Sequence, residues 1–521
     1  MTRTSKKLLL KAFLALALTF VFAACSSDSG DEGKENGAAT SEEGTPKQGG
    51  EATFAYQADV SNFDPIKGNA GSDHALLWPV YETLIKFTPD LEPEPGLAES
   101  WEFEDDTTLV LTLREGVNFH DGTPFNAEAV KFNIERANSD DSNISDLENI
   151  ESVEVVDDHT VKLHLSQPDS SLLLALSDRG GMMVSPEAVE EHGDDFSQNP
   201  VGAGPFKVVN HVPNGEIVYE AFEDYWQEGQ PYLDKMTVKV MGDENTRINA
   251  LKSGEVDYAF NVSAANADNL ENDPNIVLKS RISAQMRMLY LNADKEPTNE
   301  TAVRRAILHG IDRDALIQAI NFGKGEPAHQ AFPSEYWAHD SDVKIDYDPE
   351  KAKQILEEAG IDEVTLKLSH YSNAYDQRIA EAIKSQLSEV GINVELQSME
   401  LNAAVTNYFN EKEVPAFLSS WTGRPDPQMT INNLFSADSF YNTGNYSTDE
   451  IENLIDQAFA NYEQEDRAEL YGQISEKAIL EEAIIIPLFF EERFSAMNQS
   501  LKGYEPNLLA KPLFSTTWKE E

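Results

Sequence analysis

The stretch SSWTGRPDPQMT, Ser419 to Thr430, sets a large ring, a glycine, a guanidinium and two prolines side by side in a chain with 92 Asp and Glu against 40 Lys and Arg. Each type has a defined use in ligand recognition. Trp421 offers a flat apolar face and one N–H donor, and Arg424 offers a planar fork that fits a carboxylate or phosphate. Gly423 permits a turn with no side chain in the way, and Pro425 and Pro427 keep the backbone out of strand and helix. Asp426, two residues on, is a local acid that Arg424 could meet instead of a ligand's anion, and the sequence leaves both pairings open. A second polar and aromatic group, His370, Asn373 and Tyr375, stands at and just beyond the end of the run VTLKLSHY.

Signatures of catalysis are missing. The chain holds no G-x-S-x-G, no H-E-x-x-H and no Walker loop, and Gly202 to Lys207, GAGPFK, lacks the last glycine of a dinucleotide fingerprint. The ten histidines are scattered, and the closest pair, His159 and His164, falls on a predicted hairpin with no third ligand, so neither a metal nor a cofactor is expected. Acidic pairs such as Glu190-Glu191 and Asp194-Asp195 read as solvated surface; glycoside hydrolysis by scattered carboxylates stays a remote alternative.

The elements that must position these residues follow from periodicity. In the first half, Leu109, Leu111 and Leu113 alternate on one strand face, Asp121-Gly122 marks a turn, and Asn126 caps a helix whose Val130, Ile134 and Ala137 share a face. ESVEVV and TVKLHLSQP flank Asp157-Asp158-His159 as a hairpin. In the second half Asp348-Pro349 starts a helix with Ala352, Ile355, Leu356 and Ala359 on its apolar face. VTLKLSHY is then a strand, Tyr375 to Val390 a helix ended by Gly391, and INVELQSM a strand: a β-α-β unit. PAFLSSW is a short buried strand. Parallel sheets bind ligands beyond the carboxyl ends of their strands, which here carry His370 to Tyr375 on one strand and Trp421 to Asp426 on the other.

At 521 residues and 40% hydrophobic content the chain calls for two or three globular domains. Arg3, Lys6, Lys7 and Lys11 precede an apolar run, Ala12 to Ala24, too short to cross a bilayer and suited to a secretory signal. The only cysteine, Cys25, comes next, followed by a polar, aromatic-free stretch to about Gly50 that reads as a flexible linker. Without the signal the chain keeps 36 basic and 92 acidic side chains, a formal −56. Nucleic acid is excluded as a partner on that charge.

AESWEFEDDTTLVLTLREGVNFHDGTPFNAEAVKFNIER, NPVGAGPFKVV, LYLNADKEPTNETAVRRAILHGIDRDALI and SSWTGRPDP resemble, in that order, landmarks of the family 5 extracellular solute-binding proteins, the peptide and nickel class serving ABC importers. The resemblance covers nearly all of the chain after the linker. It implies an α/β, two-lobed periplasmic-binding-protein-like fold with a third domain inserted in the first lobe and mixed sheets covered by helices. The expected partition is 1–24 signal peptide, 25–49 linker, 50–91 with 201–290 and 486–521 as lobe I, 92–200 as the insert, and 291–485 as lobe II. The segment around Cys25 resembles a lipoprotein signal, although Phe22 stands where leucine is usual, and implies a lipid anchor on the outer face of the cytoplasmic membrane. The implied role is capture of a peptide or peptide-like solute by a monomer, with delivery to an ABC permease and through it to the ATPase subunits. An oligosaccharide, an opine-like acid or a chelated metal is the alternative cargo. The implied ligand-binding residues are Trp421, Gly423, Arg424, Asp426, His370, Asn373 and Tyr375. In the dipeptide-binding branch an aspartate follows W-T-G and pairs with the peptide's ammonium; Arg424 at that position would repel it.

Overall fold

The structure is a computed structural model that describes residues 44–68 and 70–520. The signal, Cys25 and most of the linker lie outside the described residues. Ten strands form one continuous run in the main sheet, in the order Ile392–Met399, Val364–Tyr371, Ala416–Trp421, Ile276–Leu291, Ile485–Asn498, Tyr258–Val262, Glu51–Tyr56, Lys235–Val240, Glu216–Ala221 and Phe206–Val212. The run is mixed. Val364–Tyr371 is parallel to both its neighbours, and Glu51–Tyr56 is parallel to both of its own, while the other pairs are antiparallel. The two ends of the run are the sheets of the two lobes.

Two long strands join them. Ile276–Leu291 has 16 residues, enough to span roughly 50 Å at about 3.3 Å per residue. It pairs antiparallel with Ile485–Asn498 from Ile276↔Asn498 to Tyr290↔Ile485, with register breaks between Ile282 and Met286 and between Arg287 and Met288. Apolar residues fill both faces of this pair at the second-lobe end, where Met286, Met288, Leu289, Ile486, Leu488 and Phe489 are fully buried, as a strand covered by helices on two sides requires.

The insert is a separate antiparallel sheet, Ala98–Asp105, Thr108–Leu113, Thr160–Leu165 and Ile150–Asp157 in spatial order. Leu109, Leu111 and Leu113 alternate inward as expected and pack on Val130, Ile134 and Ala137 of the helix Ala127–Ala137, whose N-terminus is capped by the Asn126 side chain accepting from the Ala129 N–H at 3.0 Å. His120 ties this region to the GAGPFK loop: its Nε2–H donates to the Gly204 carbonyl at 2.9 Å, and its Nδ1 accepts from the Gly202 N–H at 3.4 Å. Gly204 must be small because a Cβ there would sit 2.5 Å from the Val80 carbonyl carbon.

In the second lobe the β-α-β unit forms as expected, with the helix at Ala374–Glu389 and Gly391 at φ +84° behind it. The helix Pro349–Glu358 buries Ala352 and Leu356, but Ile355 is half-buried and Ala359 exposed. The contact face is thus narrower than the apolar pattern implied.

Candidate functional site

The opening stretch leaves the buried strand Ala416–Trp421, whose last residue aligns with Met286 of the long crossover strand. Trp421 is only 2% exposed. Its indole N–H donates to Thr430 Oγ1 at 3.1 Å and its ring meets Tyr441 edge-on at 5.2 Å, so its donor is satisfied inside the lobe. The Arg424 guanidinium lies over the ring, 4.8 Å from its centre, a cation–π contact. Gly423 sits at φ +75° with room for no Cβ, since one would fall 2.9 Å from that of Ala284.

Asp426 does not meet Arg424. It caps the helix Pro427–Phe435, accepting from the Gln428 N–H at 2.7 Å, and its carboxylate forms an ion pair with Arg467. Both partners are buried, and Arg467 also donates to Tyr471 Oη at 3.0 Å and to the Ser170 carbonyl at 3.3 Å. Burial works against the Arg467 charge, but Asp426 holds its pKa above the ordinary value. The cap turns the Asp426 side chain back over its own helix, away from the residue two places before it. Arg424 is left with one hydrogen bond, to its own neighbour's Gly423 carbonyl at 3.2 Å, and with no ion pair among the described residues.

Arg424 lies within electrostatic range of Asp146 and Lys511, and these belong to a charged cluster drawn from four distant stretches. Asp146 follows the insert's helix, Asp178 and Arg179 open the short turn Arg179–Gly181, His74 begins the short helix His74–Leu77, and Lys511 stands near the carboxyl end. His74 Nδ1 faces the Gly71 carbonyl at 3.1 Å and its Nε2 faces the Asp178 carboxylate; Lys511 Nζ lies 3.7 Å from Asp178 and 3.3 Å from His74 Nε2. Asp178 also accepts from the Arg179 N–H at 2.7 Å, and the Arg179 guanidinium donates to the Gly68 carbonyl. Burial opposes the Asp178 charge, yet His74 and Lys511, with Arg179 beside them, hold its carboxyl well below the usual range. Burial pushes the Lys511 amine down, and Arg424 and Arg179 push it further, against the pull of Asp178 and Asp146. Burial pushes His74 down as well, against the pull of the Asp178 carboxylate beside it. Arg424, Arg179 and Lys511 therefore stand against Asp146 and Asp178, a local positive excess in a chain of net charge −52. Three cations beside two carboxylates suit an anionic group.

The other expected residues lie elsewhere. Along the crossover strand Arg287 and Ser420 share one face of the sheet, while Met286 and Trp421 share the opposite one. Tyr375 is on the Arg287 side, its ring 4.9 Å from that guanidinium and its hydroxyl donating to Asn321 Oδ1 at 2.9 Å. Asn373 caps the helix Ala374–Glu389, and with Tyr375 it lines a cavity of about 630 Å³ shared with Arg287, Glu491, Arg493 and Asn261. His370 is 2% exposed, its Nδ1 facing the Tyr371 carbonyl at 2.9 Å. The structure thus brings Trp421, Gly423 and Arg424 together, places Asn373 and Tyr375 at a second cavity, and encloses His370 and Asp426 in the core. Sequence reasoning missed His74, Asp146, Arg179 and Lys511, which share no local motif; only the excess of acid elsewhere marks an isolated Lys or Arg as worth attention.

Comparison with known proteins bears on what such a cleft holds. Residues 92–442 match the family model for bacterial extracellular solute-binding proteins, family 5 Middle. The glutathione-binding protein GsiB of Salmonella typhi is 30% identical over 472 residues, 87% of this chain and 91% of that protein. Among solved structures, the ABC transporter-associated periplasmic binding protein DppA of Helicobacter pylori, in complex with the peptide STSA, superposes with a TM-score of 0.80 at 26% identity, over 91% of this chain and 99% of that one. AgaA from A. tumefacien R10, in complex with agropinic acid, gives 0.78 at 27% identity with coverage of 91% and 99%.

Proposed function

The chain belongs to the family 5 extracellular solute-binding proteins of ABC importers, and from that premise we propose that it captures a short peptide or peptide-like solute by a carboxylate held between Arg424 and Lys511. The observation that carries this reading is Arg424 itself, a half-buried guanidinium stacked on Trp421 with no ion pair among the described residues and with Lys511 as a neighbouring cation. Like charges held together in a crowded site cost energy that an anion between them returns. Arg424 would supply the bidentate fork and Lys511 a point charge. The stacked Trp421 ring holds the fork in place, so little side-chain entropy is lost on binding.

Closure would come from the two crossover strands, whose register breaks between Ile282 and Met288 lie beside Ala284 and Gly423. Bending there would bring Arg424 toward Lys511 and expel water, and the closed face would be what the permease recognises. No bond is made or broken. The relatives bind glutathione, the peptide STSA and agropinic acid according to their names, and all three are acids, which fits a carboxylate at Arg424. An opine-like acid is therefore the second reading. The protein acts outside the cytoplasmic membrane, held by a lipid on Cys25; no helix among the described residues is long and apolar enough to cross a bilayer.

Mass spectrometry of the solute that co-purifies from the natural host, followed by titration of the same compound, tests this. A free carboxylate in the bound compound is expected. A neutral oligosaccharide, or turnover of peptide or sugar on a catalytic timescale, would overturn it.

A further inference from the structure

The cavity of about 630 Å³ that holds Tyr375 lies behind the crossover strands. It opens on their Arg287 face, whereas Trp421 stands on the other face, and its walls come from both lobes: Gln57, Asn261 and Ala265 on one side, Asn321, Asn373 and Ala374 on the other. A line of direct contacts crosses it. The Asn261 side-chain amide donates to Gln57 Oε1 at 2.8 Å, and its Oδ1 accepts from Arg493 Nη1 at 2.7 Å. Arg493 pairs with Glu491, Glu491 accepts from Arg287 Nε at 2.6 Å, and Arg287 Nη1 donates to Asp376 at 2.7 Å in the first turn of the second-lobe helix. Glu491 falls at the register break, where Ile282 pairs with Glu492 and Met286 with Phe490, and its carbonyl accepts from Ser283 Oγ at 2.9 Å. One buried carboxylate is thus gripped by a guanidinium from each side of the break. Burial opposes its charge, yet Arg493 and Arg287 hold its carboxyl below the usual range.

Beside the Arg424 loop the insert touches the second lobe. Ser170 donates from its N–H to the Phe459 carbonyl at 3.0 Å and from its hydroxyl to the Ala458 carbonyl at 3.1 Å, and its own carbonyl accepts from Arg467, the partner of Asp426. Tyr462 Oη accepts from the Asp169 N–H at 3.1 Å and donates to the Asp106 carbonyl at 2.8 Å, and its ring packs on Phe103 at 4.2 Å. The front is therefore shut while the back stands open. A rotation at the register break that parts Tyr462 from the insert swings the walls of the rear cavity toward each other.

Resting on the hinge closure proposed above, we infer that the cavity behind the crossover strands is a conformational device: its walls must converge before the front can open, so whatever fills it sets the balance between open and closed forms. Glu491, held between Arg287 and Arg493, is the pivot. Ala265 and Ala374 are exposed residues on the converging walls, the first in the helix Ala264–Leu270 and the second at the start of the helix Ala374–Glu389. Bulk at either one resists opening and populates the closed form without touching the solute. Tyr462 works in the opposite sense, and its loss favours the open form. A shift of this kind tightens binding by no more than the inverse of the fraction already closed.

The test is small-angle X-ray scattering of the full chain stripped of solute, with Tyr462→Ala alone and combined with Ala265→Trp, with Ala374→Trp or with the small control Ala265→Ser. Tyr462→Ala should raise the radius of gyration by about 1 Å, a few per cent of the value for a compact chain of this length. Either tryptophan should take back about half of that rise or more, and the serine none of it. An expansion that neither tryptophan reverses overturns the role of the cavity and leaves hinge closure standing. If Tyr462→Ala leaves the scattering unchanged, closure at the crossover strands falls with the inference. No solute is present, so neither result bears on the carboxylate at Arg424. Both tryptophans replace exposed alanines on opposite walls, and circular dichroism that matches the natural chain shows that each variant is folded.

Discussion

Replacing Arg467 with methionine separates the two uses of charge in the loop that carries Arg424. Asp426 would stay 2% exposed with only the Gln428 N–H to serve its carboxylate, and the Ser170 carbonyl and Tyr471 hydroxyl would lose their donor. Breaking a buried pair by removing one partner costs about 3–5 kcal/mol, most of it the uncompensated charge left behind. Arg424→Ala removes a half-buried side chain that has one backbone hydrogen bond and a stacking contact, so it should cost under about 1 kcal/mol. Urea unfolding followed by circular dichroism at pH 7 compares the two variants at fixed slope. The double variant Arg467→Met with Asp426→Asn should recover part of the loss, since neither buried charge remains. An Arg424→Ala variant as unstable as Arg467→Met would refute the reasoning, because Arg424 would then be the brace of its own loop.

The remaining expectations are of other kinds. His120 is held neutral between Gly202 and Gly204, and burial lowers its pKa from 6.5 to about 4. The unfolded chain therefore takes up a proton below about pH 6.5 that the folded chain refuses until about pH 4. This contribution is complete above pH 6.5 and is lost progressively as the pH falls to 4, up to roughly 3 kcal/mol. The urea midpoint should fall over that window less steeply in His120→Gln than in the natural chain; parallel curves would contradict this. Cys25→Ser should shift the protein from the membrane to the soluble fraction, and a variant that stays with the membranes would exclude the lipid anchor.

Local rules made the elements legible and long-range assembly hid the site. Asn126 and Asp348-Pro349 announce helix starts because a capping side chain acts within three residues, and Gly391 announces a stop because its φ of +84° is open to glycine. The same short range misleads at Asp426. Two residues from Arg424 it reads as the obvious partner, but as a cap it points back along its helix to Arg467, 41 residues on. The rule that ligands gather at carboxyl ends of parallel strands located Arg424 and Tyr375 alike, yet the alternation of Arg287 and Met286 sends them to opposite faces of the sheet. The charged groups gathered near Arg424 come from residues 74, 146, 178, 179 and 511, and no short window of sequence spans the four stretches that carry them.

The most direct measurement of the central claim is a thermodynamic cycle by calorimetric titration: a peptide that binds and its C-terminal amide, each with the natural chain and with Arg424→Ala. If the carboxylate lies at Arg424, amidation weakens binding to the natural chain by about tenfold or more and to Arg424→Ala by about twofold or less. Equal losses in both proteins would place the carboxylate elsewhere and contradict the account.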